Sequence, residues 1–314
     1  MKKKLIDLLI CPACLPMEVS LKSVVFDSAG DDIISGELIC QICGGKYYID
    51  EGVAFLVSEK ASAFQLGQDR YEENDMLSSY CWAHYGDFLN ETGANDAYSC
   101  WGSNISMSGG GLALDLGCSV GRFTFEMSRK SDFVIGLDLS ESFVRHARKL
   151  MLDKSLKFPL ITEGRLFEHR LIRLPETFDT NRVEFIVGDA LALPFSKKSF
   201  SFVSSLNLLD KLPRPLDHLK EINRVAKTKG AEFLFSDPFS WSVAAAEEKN
   251  WLGGKRGGEY SGKGMDNVRL LLQGKDGLLS PPWRIEKQGS VSWKIRNHSN
   301  RYEMIRSRFL VSSR

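Results

Sequence analysis

The sequence lacks the features of a secreted, membrane-spanning or strongly basic protein. Its formal net charge is only +1 over 314 residues, so no overall electrostatic attraction draws it to nucleic acid. No apolar run approaches the roughly 20 residues of a membrane-spanning helix. The amino-terminal MKKKLIDLLI starts like a signal peptide, but Asp7 interrupts its short apolar part and no small-residue cleavage site follows. These absences, with no internal repeat, predict a cytoplasmic protein without a membrane segment.

The pattern of the seven cysteines also does not indicate a disulfide framework. Four of them form two Cys-x-x-Cys pairs, Cys11 with Cys14 and Cys40 with Cys43, and glycines follow the second pair. Four thiolates in two such pairs can close a tetrahedron around zinc, and the glycines let backbone amides approach sulfur. We therefore predict a structural zinc site without an open coordination position. An Fe–S cluster, or a site that has lost its metal, is the alternative.

The segment around these cysteines, LLICPAC…GELICQICGGKYYIDEGVAFLV, resembles a known small zinc-ribbon protein. That protein activates tRNA and release-factor methyltransferases as a separate subunit. The resemblance implies a docking or stabilising role for a ribbon fused in cis. A similar ribbon precedes the catalytic domain of a bacterial 23S rRNA guanine methyltransferase, which implies RNA as an alternative substrate.

The rest of the chain is organised around LALDLGCSVGR, residues 112–122. An apolar run ending in Asp115 enters a turn with Gly117 and Gly121, and a helix-compatible run follows. This is the strand, glycine turn and helix start that receives nucleotide-like ligands in open α/β sheets. The middle glycine of a dinucleotide fingerprint is absent, since Ser119 lies in that region. With no pyrophosphate to bind, we expect a side chain there to cost little.

Acids follow further predicted strands. FVIGLDL at 133–139 ends near Asp138, and VEFIVGDA at 183–190 ends near Asp189. A fourth strand at 200–206 is followed by Asn207. An acid after the second strand can accept hydrogen bonds from both ribose hydroxyls, and Asp189 is placed to receive an adenine amine. Together they predict a site for an adenosine with a cationic or amino-acid tail.

In this order LDLGCSVGR, GLDLS and GDALALPF resemble the first motif, second motif and adenine-contacting loop of class I S-adenosylmethionine-dependent methyltransferases. The resemblance spans roughly residues 110–238. It implies a doubly wound, mostly parallel, seven-stranded Rossmann-like sheet. It also implies S-adenosylmethionine as cofactor, with contacts from Asp115, Gly117, Cys118, Ser119, Gly121, Asp138, Leu139, Asp189, Ala190 and Asn207.

The acceptor has to be inferred from three other stretches: residues 79–86 within a predicted helix at 71–89, the loop 206–212, and the loop 236–241 with 250–254. With Arg-Asn-His at 296–298, they resemble the methyltransferase domain of the ovothiol pathway, which methylates an imidazole nitrogen of 4-mercaptohistidine. The resemblance covers roughly 71–314. That family is usually joined to an iron-dependent sulfoxide synthase and carries no zinc ribbon, so we infer only a small polar acceptor bearing an imidazole or a thiol.

Four residues are candidates for catalysis. Asn207 would hold the acceptor, and Asp210 would orient an imidazole or accept its proton. Tyr80 and His84 would close the site from above. The alternatives are a loop carboxylate for Asp210 and ordinary core packing for the helical aromatics. Arg296 and His298 would bind a substrate carboxylate or remain solvated charges.

The predicted organisation is a zinc ribbon at 1–60, a helical lid and linker at 61–110, and a methyltransferase domain at 111–314. The predicted function is S-adenosylmethionine-dependent methylation of a small polar acceptor. One alternative is an RNA base methyltransferase that docks substrate through the ribbon and the basic segment 283–314, which holds eight Lys or Arg against two acids. Another is a non-enzymatic scaffold. The sequence gives no indication of oligomeric state.

Overall fold

The computed structural model describes residues 1–58, 69–72, 74–89, 91, 93–106 and 110–314. The predicted domain boundary near residue 60 lies outside the described residues, as do most of the polar stretch 58–67 and the centre of the linker 104–111. The ribbon, the lid helices and the α/β region are therefore each described from the helices and strands within these ranges.

The described part of the chain contains thirteen strands and six α-helices, and none of these helices is long and apolar enough to cross a bilayer. The strands are β1 (Leu21–Ala29), β2 (Asp32–Cys40), β3 (Lys46–Asp50), β4 (Val53–Leu56), β5 (Leu112–Leu116), β6 (Phe133–Asp138), β7 (Ser155–Glu163), β8 (Leu166–Arg173), β9 (Val183–Gly188), β10 (Phe202–Leu206), β11 (Glu232–Asp237), β12 (Arg284–His298) and β13 (Arg301–Ser313). The helices are α1 (Asn74–Tyr85), α2 (Ala97–Ser103), α3 (Arg122–Ser128), α4 (Glu141–Asp153), α5 (Pro215–Val225) and α6 (Gly264–Leu272).

Eleven of the strands form one mixed sheet in the order β1-β2-β3-β4-β9-β6-β5-β10-β11-β13-β12. The six strands from β4 to β11 in this order are parallel, and the strands on both flanks are antiparallel. The prediction of a seven-stranded, mostly parallel sheet is therefore wrong, because the sheet is mixed and has eleven strands. The seven strands from β9 to β12 are contiguous, but the ribbon adds four more.

The ribbon joins the sheet through backbone pairing. β4 lies parallel to β9, with Phe55 opposite Val187 and Leu56 opposite Gly188. The remaining two strands, β7 and β8, form a separate antiparallel hairpin. This hairpin accounts for the length of the connection between α4 and β9.

The parallel strands are almost continuously apolar because helices cover both faces of the sheet. β9, β10 and β11 are buried at every position, and β5 and β6 are exposed only at one end. Helix α4 begins at Ser140, whose hydroxyl accepts a hydrogen bond from Phe143 N at 3.2 Å. The carboxyl ends of parallel strands meet at one edge of a sheet, so the residues that follow these strands lie close together.

A buried ionic cluster links the ribbon to α4 and β9. Arg148 of α4 pairs with Glu184 of β9 and lies 3.3 Å from Asp32 Oδ1 of the ribbon. The side chains of Arg148 and Glu184 are almost completely buried. Lys2 N donates to Glu184 Oε2 at 2.6 Å, and the amino group of Met1 lies 3.5 Å from Asp32 Oδ1. Loss of the Glu184 charge would leave the buried guanidinium of Arg148 with the partly exposed Asp32 as its remaining acidic partner.

We expect Glu184→Gln to lower the free energy of unfolding by about 3 kcal/mol, because it removes the charge facing a buried guanidinium. Glu141→Gln is the matched control, since Glu141 faces Arg145 at an exposed site and should cost less than about 1 kcal/mol. Urea unfolding of the two variants measures the difference. Equal losses would show that the cluster contributes no more than a surface ion pair.

Candidate active site

A cavity of 480 Å³ lies at the carboxyl ends of β5, β6, β9 and β10. It collects most of the residues that the sequence analysis selected from distant parts of the chain. Both lid residues, Tyr80 and His84, line it. So do nine of the ten predicted cofactor contacts: Asp115, Gly117, Cys118, Ser119, Asp138, Leu139, Asp189, Ala190 and Asn207.

Gly121 is the exception: it does not line the cavity, and its contact with the cofactor stays a prediction. It precedes α3 with φ of +87°, and a Cβ on it would lie 2.7 Å from the ring of Phe185 and 3.1 Å from Ala147. The absent side chain lets the start of α3 pack against β9 and α4. Packing, rather than ligand approach, requires glycine here.

Asp210 also lies outside the cavity lining, although Lys211 beside it lines the cavity, and a role in orienting or deprotonating the acceptor stays a prediction. Its side chain is fully buried and its Oδ2 accepts a hydrogen bond from Ser240 N at 2.6 Å. Its Oδ1 lies 3.1 Å from Lys211 Nζ, and its own N–H donates to Asp237 Oδ2 at 3.2 Å. Asp210 is thus a loop carboxylate that joins the connections after β10 and β11.

The glycine turn depends on left-handed backbone. Gly117 has φ of +69°, and a Cβ there would lie 3.1 Å from Leu208. Ser119 has φ of +49°, and a non-glycine residue in this region costs about 1–2 kcal/mol. The expectation that a side chain costs little here is therefore wrong. A hydrogen bond from Ser119 N to Asp138 Oδ2 at 2.8 Å offsets part of this cost.

Asp115 is a buried carboxylate at the end of β5. It accepts hydrogen bonds from Ser204 Oγ and Thr124 Oγ1, both at 2.7 Å. Burial raises the pKa of Asp115 to about 7, although the two hydroxyl donors oppose the rise. A cation bound beside it would favour the ionised form.

Asp138 and Asp189 are more open to the cavity. Asp138 Oδ1 accepts from Ser140 N at 3.0 Å, and Asp189 Oδ1 accepts from Leu191 N at 2.8 Å. Burial raises the pKa of both carboxyls, and these backbone donors oppose the rise. A carboxylate offers about four acceptor positions, so both side chains retain capacity for a ligand.

Asn207 ends β10 with a left-handed φ of +58°. Its Oδ1 accepts a hydrogen bond from Ser307 Oγ of β13 at 2.5 Å, and its N–H donates to Ser236 O at 2.7 Å. Its side-chain NH₂ has no hydrogen-bond partner in the described part of the chain. The closing hairpin thus orients Asn207 and leaves two donors for a ligand.

The lid helices contribute a buried histidine. His84 Nε2 lies 2.6 Å from Tyr98 Oη, which links α1 to α2. Burial, with the nearby charge of Arg122, lowers the pKa of His84 to about 3. Arg122 donates to His84 O at 2.9 Å and pairs with Asp87 at 2.8 Å. His84 is therefore a neutral, fixed part of the cavity wall.

The ring of Tyr80 packs against other aromatic rings at the cavity. Its centroid is 5.0 Å from that of Phe143 and 6.0 Å from that of Tyr71. Phe143 belongs to α4, whereas the other two lie between β4 and β5 in the chain. The aromatic cluster therefore closes the lid over the end of β6.

Several lining residues were missed from the sequence. Tyr98 belongs to a short helix without a strong amphipathic pattern. Lys211 directly follows Asp210, the residue of this loop that the sequence analysis selected for catalysis. The β12–β13 hairpin supplies Trp293, Ile295, Asn297, Glu303 and Ile305. Trp293, Ile295 and Asn297 lie two positions apart in sequence, and this period of two could have identified them as one face of a strand.

Other predicted acceptor residues do not reach the cavity. Arg296 is buried and His298 half-buried, but neither lines it. From the loop after β11 only Pro238 and Ser240 do so. Trp241 and Trp251 stack on one another instead, with ring centroids 6.2 Å apart. These tryptophans pack the loop rather than contact a ligand.

The four cysteines of the ribbon come together away from this cavity, and none of them lines it. Their sulfurs all lie within 4.8 Å of one another, with Cys11 and Cys43 at 3.6 Å and Cys14 and Cys40 at 3.7 Å. Zn–S bonds of about 2.3 Å give a tetrahedron with edges of about 3.8 Å, so the arrangement fits such an ion. Gly45 N donates to Cys43 Sγ at 3.4 Å, as the glycines predicted.

Two family models match separate parts of this chain. Residues 114–234 match the model "Methyltransferase domain", and residues 2–52 match "Trm112p-like protein". A region similar to Trm112p-like proteins thus precedes a region similar to methyltransferase domains. Every predicted cofactor contact lies within the first of these ranges, and the cysteine cluster lies within the second.

Curated relatives match about half of this chain. The chain is 29% identical over 178 residues to demethylmenaquinone methyltransferase of Lactococcus lactis subsp. lactis, covering 54% of this chain and 59% of the relative. It is 25% identical over 151 residues to demethylmenaquinone methyltransferase of Staphylococcus saprophyticus, covering 46% and 54%. The chain thus spans little more than half the length of these relatives.

Solved structures give matches of lower identity. A SAM-dependent methyltransferase from Methanosarcina mazei is 18% identical, with a TM-score of 0.44 over 69% of this chain and 98% of that chain. The complex between the Haloferax volcanii Trm112 methyltransferase activator and a candidate methyltransferase is 14% identical, with a TM-score of 0.47 over 78% and 96%.

We expect the ring signals of His84 to stay constant in an NMR titration from pH 8 to pH 5. The lowered pKa of about 3 keeps the imidazole neutral throughout this range, and protonation begins only as the pH falls further. The variant His84→Gln assigns the signals by their loss. A midpoint above pH 5 would show that the lid opens and hydrates this side chain.

Proposed function

We propose that this protein transfers the methyl group of S-adenosylmethionine to a small polar acceptor, an imidazole nitrogen or a thiol of a histidine-derived compound. The observation that carries the proposal is the convergence of Asp115, Asp138 and Asp189 on one cavity at the strand ends of a methyltransferase domain. The sequence resemblance to the ovothiol-pathway domain supports the class of acceptor.

The residues at this cavity suit the cofactor. Asp138 keeps acceptor capacity for the ribose hydroxyls, and Asp189 with Ala190 lies beside the space expected for adenine. Asp115 adds a carboxyl close to where a positively charged tail would lie. When bound, S-adenosylmethionine supplies an electrophilic methyl group whose bond to sulfur breaks as the bond to the acceptor forms.

The size of the cavity supports a small acceptor. Ligand sites typically range from about 300 to 1,000 Å³, and this cavity of 480 Å³ would have to receive donor and acceptor together. An extruded RNA base is less well supported, because the ribbon that would dock RNA uses β4 to extend the sheet.

The protein's contribution to the reaction is positioning and exclusion of water. The amide of Asn207 would hold the acceptor, while Tyr80 and His84 would cover it from the lid. A neutral imidazole nitrogen is already nucleophilic near pH 7, so the reaction does not require Asp210 as a base. The proton on the other ring nitrogen of the product can pass to solvent.

The decisive experiment supplies methyl-labelled S-adenosylmethionine with separate acceptors: 4-mercaptohistidine, histidine, other imidazole thiols, tRNA and rRNA. We expect label in a small imidazole or thiol compound. Label recovered in RNA would replace this proposal with the alternative of an RNA methyltransferase. Absence of cofactor binding in calorimetry would favour the non-enzymatic scaffold.

Asp138→Ala should weaken S-adenosylmethionine binding by about 1.5–3 kcal/mol, the range for hydrogen bonds to a charged group. This corresponds to roughly a 10- to 150-fold rise in the dissociation constant measured by calorimetry. Asp153→Ala is the control, because Asp153 is an exposed acid at the end of α4 outside the cavity. An unchanged constant in Asp138→Ala would contradict the placement of the ribose.

We further propose that Cys11, Cys14, Cys40 and Cys43 hold a structural zinc ion. Cys40→Ser should release the zinc, measured by elemental analysis, and lower the melting temperature. Because β4 pairs with Val187 and Gly188 beside Asp189, we also expect weaker cofactor binding.

Cys100→Ser is the control for this change, since Cys100 is exposed and lies outside the cluster. It should retain both the zinc and the melting temperature. If Cys40→Ser loses zinc without any change in cofactor affinity, the ribbon stabilises the chain without supporting the site. If it keeps the zinc, the assignment of the ligands is wrong.

A further inference from the structure

Lys211 is the one cationic side chain among the described residues that line the cavity. It closes the single turn Leu209–Lys211 that follows β10, and its side chain is 32% exposed. Four carboxyl side chains share the lining with it: Asp115, Asp138, Asp189 and Glu303. His84 adds no charge, since its imidazole is neutral.

Buried groups hold the ammonium of Lys211 in place. Asp210 Oδ1 lies 3.1 Å from Lys211 Nζ, and Asp210 is fixed in turn by Ser240 N. Asp237, fully buried, accepts hydrogen bonds from Asp210 N at 3.2 Å and from Phe239 N at 2.7 Å. Two connected loops therefore position this lysine, unlike a lysine on an open surface.

The ammonium retains donors for a ligand. A lysine ammonium has three N–H donors, and Asp210 is its only partner among the described residues. An anionic group in the cavity would find no other cationic side chain there. The remaining donors of Lys211 therefore identify where an acidic ligand would bind.

The position of Lys211 separates it from the adenosine region. The acids proposed to contact adenosine, Asp138 and Asp189, lie at the ends of β6 and β9. Lys211 follows β10 and lines the cavity together with Pro238 and Ser240 from the loop after β11. The β12–β13 hairpin supplies the apolar side chains Trp293, Ile295 and Ile305 to the lining, beside Asn297 and Glu303. A ring that carries an acid group suits a lining that combines apolar side chains with one cation.

We propose that Lys211 binds a carboxylate of the methyl acceptor and that Asp210 positions Lys211 for this contact. The inference rests on the proposed function and narrows its substrate class to ring-bearing carboxylic acids. Asp210 thereby acquires a positioning role in place of the catalytic role expected from sequence.

The test measures binding of small acids to the protein saturated with S-adenosylhomocysteine, which occupies the donor site. The probes are histidine, imidazole-4-carboxylate and benzoate, each compared with its amide by calorimetry. We expect at least one acid to bind at least tenfold more tightly than its amide. Lys211→Met should remove this preference, whereas Lys211→Arg should retain it within about threefold because the charge remains.

Lys220→Met is the matched control, since Lys220 lies on the exposed side of α5, pairs with Asp217 and does not line the cavity. It should bind acids as the unchanged protein does. No preference for any acid over its amide, or a preference that survives in Lys211→Met, would overturn the proposal.

Binding of S-adenosylmethionine to Lys211→Met is measured separately, because it shows whether the lysine contacts the methyl donor or the methyl acceptor. If Lys211→Met weakens binding of S-adenosylmethionine at least tenfold, the lysine holds the donor's own carboxylate and the proposal is wrong. If the unchanged protein does not bind S-adenosylmethionine at all, the proposed function fails and this inference fails with it. Cofactor binding without acid preference would overturn only the inference about Lys211.

Discussion

The parallel alignment of neighbouring strands is the constraint on which the candidate site depends. Each of β5, β6, β9 and β10 ends at the same edge of the sheet, so one polar residue after each strand is sufficient to build a shared cavity. The strands themselves need only be apolar enough to stay buried between helices. The polar residues of the cavity are therefore few and are separated by up to about ninety positions in sequence. The lid helices and the closing hairpin complete the walls of the cavity.

Local patterns were sufficient to predict the central strands and the acids that follow them, because both depend on short stretches of sequence. The cysteine pairs were equally informative. The extension of the sheet by β4 was not predictable, since the choice of β9 as its partner is a property of the whole fold. The buried position of Asp210 was not predictable for a similar reason. Its burial depends on Ser240, thirty residues further along, and nothing in its own neighbourhood indicates that contact.

The lid shows how buried polar contacts connect elements that have no backbone pairing. Arg122 at the start of α3 contacts His84 and Asp87 from the end of α1, and Tyr98 connects His84 to α2. Arg122 also lies 3.9 Å from the ring centroid of Phe88. The glycine turn, the lid and the start of α3 are thus mechanically linked, so a ligand that contacts the turn would also act on the position of the lid.

The pairing of β4 with β9 has a consequence for how this protein exists in the cell. Without the ribbon, β9 would present a row of free backbone N–H and C=O groups beside apolar side chains, which is the surface through which sheets aggregate. Covalent attachment keeps the covering strand at a high local concentration beside β9.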